Sequence, residues 1–261
     1  MPPQAHAKFA TIALDFDGSV GRIVLNNPRL NVITLEMMDE LDSALKEAEG
    51  RADISTVVLR GAGTGFSAGV DVAAHAPDKV RDMLGKFHAV VRSIVASKKV
   101  TVAAVHGNCL GGGAELAAVC DLVFTTESAT WGFPEISLGC FPPVAAAMLS
   151  AVVGQKRAAD LILTGRKITG DVAFSMGLAN EAVPDGELDE VVEETCERLR
   201  SLSASSLAAT KKALYAWDAS HLHKGLERAE TIYLEELMQT EDAKEGVSAF
   251  MQKRKPRWQG R

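Results

Sequence analysis

Glu115 and Glu135 stand twenty positions apart, each where a carboxylate is costly unless it is used. The first lies in Gly111-Gly112-Gly113-Ala114-Glu115-Leu116, the second in Phe133-Pro134-Glu135-Ile136. The apolar run Val100–Val105 before the glycines reads as a strand, and Glu115 opens a helical stretch to Cys120, so the triplet falls at a strand-to-helix junction. Unpaired amides at a helix N-terminus carry partial positive charge and favour negative charge on a bound oxygen. The layout suits polarisation of a carbonyl beside an acid and a base. Alone, either glutamate is equally a cap or a surface charge, and the triplet equally a tight turn.

Other reactive side chains offer less. His106 precedes a glycine at a strand end and reads as structural, while His75, His88, His221 and His223 lack the setting of a nucleophile or metal ligand. Cys109, Cys120, Cys140 and Cys196 show no metal-ligand spacing, and three lie in apolar stretches. Reduced thiols in a cytoplasmic protein are expected, with no metal site and no redox cofactor.

The elements that must position the glutamates alternate short strands with longer helices, an α/β pattern. Thr11–Leu14 and Arg22–Leu25 flank an Asp-Gly step and predict a hairpin. Thr34 is a candidate N-cap for a helix whose Leu35, Met38, Leu41 and Leu45 form one apolar stripe. A strand over Ser55–Arg60 ends in a glycine-broken loop, a helix covers Arg81–Ala96, and a third strand covers Asp121–Thr126. Strand, strand, helix recurs. After Glu187 the sequence turns helical and charged, which divides the chain into a core over residues 1–195 and a helical region over 196–261. The basic run Lys253-Arg254-Lys255-Pro256-Arg257 is either a solvated tail or a phosphate contact.

A chain of 261 residues at 47% hydrophobic composition supports a substantial core, and a net charge of −6 argues against a nucleic-acid partner. Residues 1–10 have no apolar segment typical of export, and no apolar run reaches membrane-spanning length, so neither secretion nor membrane insertion is expected.

Seven segments in order carry a family resemblance: Asn26–Val32, Phe66–Val72, His106–Leu116, Cys120–Leu122, Phe133–Gly139, Leu163–Arg166 and Ala173–Asn180. Together they resemble the crotonase, or enoyl-CoA hydratase/isomerase, superfamily over nearly the whole chain. The resemblance implies a spiral of ββα units, a C-terminal helical trimerisation region, and a homotrimer or a homohexamer of two trimers. It implies an acyl-CoA thioester substrate whose carbonyl sits in an oxyanion hole formed by the amides of Val70 and Gly112. Glu115 and Glu135 match the two catalytic glutamates of family hydratases, with the division of roles left open. Coenzyme A is expected against Ala68, Val70, Asp71, Val72 and Gly112, with Arg29 as a candidate phosphate contact.

The segment Leu138-Gly139-Cys140-Phe141-Pro142-Pro143 departs from the glycine-rich continuation of many family hydratases. It is similar to the corresponding segment of cyclohexa-1,5-diene-1-carbonyl-CoA hydratases, and it predicts a stiffer, bulkier pocket wall. Three functions follow from the resemblance: a lyase that adds water to an α,β-unsaturated acyl-CoA, an isomerase or thioester hydrolase using the same oxyanion hole, and a non-catalytic RNA-binding or scaffold protein. The carboxylate pair favours the first.

Overall fold

The computed structural model describes residues 9–215 and 219–261, apart from the side chains of residues 219–221. The expectation about residues 1–10 therefore falls largely outside the described residues, as does the His221 side chain.

Two strands open the chain, β1 (Ile12–Asp17) and β2 (Val20–Leu25), closed by a two-residue turn at Gly18 and Ser19 with Asp17 opposite Val20. Helix α1 (Leu35–Gly50) begins at Thr34, whose hydroxyl accepts from Met37 N at 3.2 Å, and it buries Met38, Leu41 and Leu45 as the stripe required. Three turns of strand, corner, strand and helix follow. The first is β3 (Thr56–Gly61), β4 (Gly65–Ser67) and α2 (Val80–Ala96). The second is β5 (Val100–Val105), β6 (Asn108–Leu110) and α3 (Gly112–Ala118). The third is β7 (Leu122–Thr126), β8 (Thr130–Gly132) and α4 (Pro143–Val153).

Successive turns stack. Parallel pairing of β3, β5 and β7 builds a six-stranded sheet ordered β1-β2-β3-β5-β7-β10, where β10 is Glu181–Val183. Their partners β4, β6 and β8 build a second, four-stranded sheet with β9 (Lys167–Thr169) at its edge. Sequence reading did not identify β4 or β6 as strands, because a strand of three residues is too short to show a two-residue period. The second sheet is what turns a run of strands into a spiral.

Helices α5 (Gln155–Thr164) and α6 (Gly170–Met176) close the core, and α7 (Leu188–Arg200) packs Leu188, Val192, Cys196 and Leu199 on the outer face of the six-stranded sheet. The expected boundary between residues 195 and 196 thus falls inside α7, which belongs with the sheet by its packing. Beyond it lie α8 (Ala204–Tyr215), α9 (Ala219–Thr231) and α10 (Glu241–Met251). α9 lies along α4, and α10 lies on the short 3-10 helices Val72–His75 and Pro134–Leu138. No helix among the described residues is long and apolar enough to cross a membrane.

Candidate active site

Glu115 sits in the fourth position of α3, 3% exposed, and its Oε1 accepts from Ala145 N at 2.9 Å. The amides that hold it therefore come from the start of α4 rather than from its own helix. Pro142 and Pro143 begin α4 with fixed φ and supply no N–H, so the first donors of that helix are Val144 and Ala145, and both bear on the Glu115 carboxylate. The two prolines that read as a stiff wall also aim a helix end at the carboxylate.

Glu135 comes from the opposite side, on the 3-10 helix Pro134–Leu138. Its Oε2 is buried and has no hydrogen-bond partner among the described residues. Burial pushes Glu115 up to about 7, while the Ala145 and Val144 amides pull against it. Burial, and then the Glu115 charge, push Glu135 up to about 8. Two buried carboxyls pushed toward the neutral range, one of them partly by the other's charge, are suited to supply one acid and one base.

The glycine triplet makes this approach possible. A Cβ at Gly111, where φ is +52°, would stand 2.7 Å from Glu135 Oε1, and one at Gly112 would stand 2.6 Å from Val70 Cγ2. Each glycine admits a different part of the site, a demand stricter than that of a turn.

The Val70 amide is free for a geometric reason. Ile33 pairs in parallel with Val70 through its neighbours: Ile33 N donates to Gly69 O at 2.9 Å and Asp71 N donates to Ile33 O at 3.0 Å. Val70 N–H consequently points the other way. Gly112 N is the first amide of α3 and has no intrahelical acceptor. Ser67 holds the turn before Val70, its hydroxyl donating to Asn31 O at 2.7 Å and accepting from Gly69 N at 3.1 Å. Asn31 is 3% exposed and donates in turn to Ala62 O and Gly65 O. Neither Asn31 nor Ser67 was assigned a role from sequence, because a side chain that braces a loop through main-chain carbonyls has no local signature.

Both glutamates, Ala68, Val70, Val72 and Gly112 line one cavity of about 230 Å³. Arg29 and Asp71 do not. The Asp71 side chain instead caps Ala73 N at 3.1 Å, and exposed Arg29 lies on the loop whose Leu30 O accepts from Ala68 N at 2.9 Å. The cavity also takes in Phe141, from the segment expected to form its wall, His75, which sequence reading set aside, and Tyr233, which it left unassigned. His75 Nδ1 lies 3.2 Å from Asp71 O, and burial pulls its pKa down, so the ring is neutral. Phe141 meets Tyr233 edge-on, with ring centroids 5.2 Å apart. Of the basic run, Arg254 is engaged by Glu245 at 2.5 and 2.7 Å. Among the described residues no group of His, Cys, Asp and Glu has the spacing of a metal site.

Two sheets in a ββα spiral, with two buried carboxylates in the same cavity as the Val70 and Gly112 backbone, define a class of protein suited to polarise a carbonyl beside an acid and a base. The family model for enoyl-CoA hydratase/isomerase matches residues 15–261, and the chain belongs to that family. The chain is 37% identical over 248 residues to a cyclohexa-1,5-dienecarbonyl-CoA hydratase of Thauera aromatica, covering 95% of this chain and 96% of the relative. It is 34% identical to a probable enoyl-CoA hydratase of Mycobacterium bovis, covering 96% and 98%. An enoyl-CoA hydratase crystal structure from Mycobacterium avium subsp. paratuberculosis superposes with a TM-score of 0.87 at 28% identity, covering 96% of this chain and 99% of that one.

Proposed function

We propose that the protein adds water to an α,β-unsaturated acyl-CoA thioester. The observation that carries this reading is the convergence of Glu115 and Glu135 on one cavity, tuned by burial so that one is a base and the other an acid near neutral pH. The thioester carbonyl accepts from Val70 N–H and Gly112 N–H. One carboxylate takes a proton from water as the oxygen–carbon bond forms at the β-carbon. The electron pair of the double bond moves toward the thioester oxygen as enolate, where the two amides stabilise it. The protonated carboxyl then delivers its proton to the α-carbon. Loss of one such donor typically costs about 3–4 kcal/mol of barrier.

The acyl group is compact. Phe141, Pro142, Pro143 and Tyr233 give the cavity a stiff, bulky lining, which supports a flat cyclic dienoyl group over a long extended chain. Coenzyme A lies along Ala68, Val70 and Val72, with Arg29 meeting a phosphate and Asp71 fixing the turn beneath. No cofactor enters this scheme, since proton transfer and carbonyl polarisation complete the reaction. Four buried free cysteines fit a reducing, cytoplasmic setting. A homotrimer or homohexamer, assembled through the helices after α7, would cover exposed Leu163, Phe174 and Trp258, and light scattering of the purified protein checks it.

The test is purified protein with crotonyl-CoA and, separately, cyclohexa-1,5-diene-1-carbonyl-CoA, read by mass spectrometry for one added water. Product from the diene with little from crotonyl-CoA supports the compact-ring reading. Efficient conversion of crotonyl-CoA alone overturns the ring preference, and no addition to either overturns the hydratase reading.

A further inference from the structure

Two buried polar atoms of this cavity lack partners among the described residues: Glu135 Oε2 and the Tyr233 hydroxyl. Around them the other polar groups are matched. Glu115 Oε1 accepts from Ala145 N, His75 Nδ1 meets Asp71 O, and the Ser137 hydroxyl donates to Pro134 O at 2.7 Å. An unpaired buried polar atom is rare and asks for an explanation. Here two occur together, one belonging to a carboxylate proposed to be catalytic.

Tyr233 reaches the cavity because the chain after α9 widens into a π-helical turn over Ile232–Glu236, a distortion common at functional sites. Its ring is fixed edge-on against Phe141, and the residue is 1% exposed. The polar side chain next to it is the Cys140 thiol, which points at Leu138 O, 3.6 Å away, and whose sulfur, a weak acceptor, leaves the phenol able to donate to a stronger one. Burial first, then Cys140, then the Glu135 and Glu115 charges push the phenol's pKa up, so it remains a proton donor at every physiological pH.

When the proton of the pair rests on Glu115, Glu135 Oε2 can only accept, and the phenol lining the same cavity can donate. What completes both is one oxygen that carries hydrogen, a water or a hydroxyl. We propose that Tyr233 donates a hydrogen bond to the oxygen that the enzyme adds to its substrate, holding it against Glu135 as water before the step and as the product hydroxyl after it. With one hydrogen on Glu135 and one lone pair on Tyr233, the remaining lone pair is directed at the β-carbon. Tyr233 keeps its own proton throughout; the water's proton goes to the carboxylate. In the reverse direction the same donor stabilises negative charge on the departing oxygen. The inference rests on the hydratase reading of this site.

Tyr233→Phe tests it, because the ring and its contact with Phe141 are kept while the hydroxyl is lost. Hydration of crotonyl-CoA, or of the cyclic dienoyl-CoA if that is the better substrate, should fall about 10- to 100-fold in kcat with KM little changed. Affinity for butyryl-CoA, which cannot be hydrated, should stay at the wild-type value and reports that the pocket is intact. Tyr233→Met, an apolar filler of similar reach, serves as a second variant and should show the same split. Wild-type kcat in either folded variant overturns the proposal, as does a loss confined to KM. Glu135→Gln assayed in parallel separates the two claims. If it stays active, the hydratase assignment of Glu135 fails; if it is inactive while Tyr233→Phe is not, only the Tyr233 proposal fails.

Discussion

The two carboxylates are held in contrasting ways. Glu115 is built into α3, one oxygen fixed by an amide at the start of α4. Glu135 rides on a 3-10 helix against which α10 packs, with one oxygen buried and unpaired. One is a fixed point supplied by the spiral core. The other keeps one buried oxygen unmatched among the described residues.

The largest effect that would break this comparison is loss of the charge itself. Glu115→Gln and Glu135→Gln should each lower kcat about 100- to 10,000-fold, measured by absorbance loss of the conjugated thioester, with butyryl-CoA affinity retained. Full activity in either variant removes that residue from the chemistry. Next, Gly111→Ala puts a methyl 2.7 Å from Glu135 Oε1 and leaves the Glu115–Ala145 bond untouched. Displacement of one carboxylate by about an ångström should cost roughly 100-fold in kcat/KM. An unchanged rate would mean that Glu135 need not stand where it does.

A smaller effect sharpens the electrostatic side. With Glu115 near 7 and Glu135 near 8, kcat/KM should describe a bell with its maximum between those values, and Glu135→Gln should remove one limb from whatever activity remains. A flat profile from pH 6 to 9 would contradict the shared proton.

The smallest effect is on stability. Burial raises both carboxyls above their unfolded values near 4.5, so the native state holds protons that the unfolded chain has released. Their burial is tolerated below pH 4.5 and becomes increasingly destabilising as pH rises toward 8. Glu135→Gln should therefore match wild type in Tm at about pH 4.5 and exceed it by several degrees at pH 8.5, in thermal melts followed by circular dichroism. Equal melts at both pH values would show that Glu135 is solvated.

Much of the scaffold was legible along the chain. The hairpin, the α1 stripe with its Thr34 cap, α2 and the strands β3, β5 and β7 all declare themselves through period, capping and turn chemistry, which act within a few residues. The strands β4, β6 and β8 did not, because three residues give no period and exist only through pairing with one another. His75 was weighed and set aside, and Asn31, Ser67 and Tyr233 were hidden for a related reason. Each acts across at least thirty residues or through a cavity that no local pattern describes.

What the sequence determined by itself was which residues carry charge and where glycine must stand: Glu115, Glu135 and the triplet between strand and helix. Those are properties of single positions and of short spacings. Only the tertiary structure decided that α4 rather than α3 fixes Glu115, that Gly111 yields to Glu135 while Gly112 yields to Val70, and that Tyr233 enters the same cavity from far along the chain. Burial, the repulsion of like charges and the matching of buried hydrogen bonds depend on distance in space, and chain order does not encode that distance.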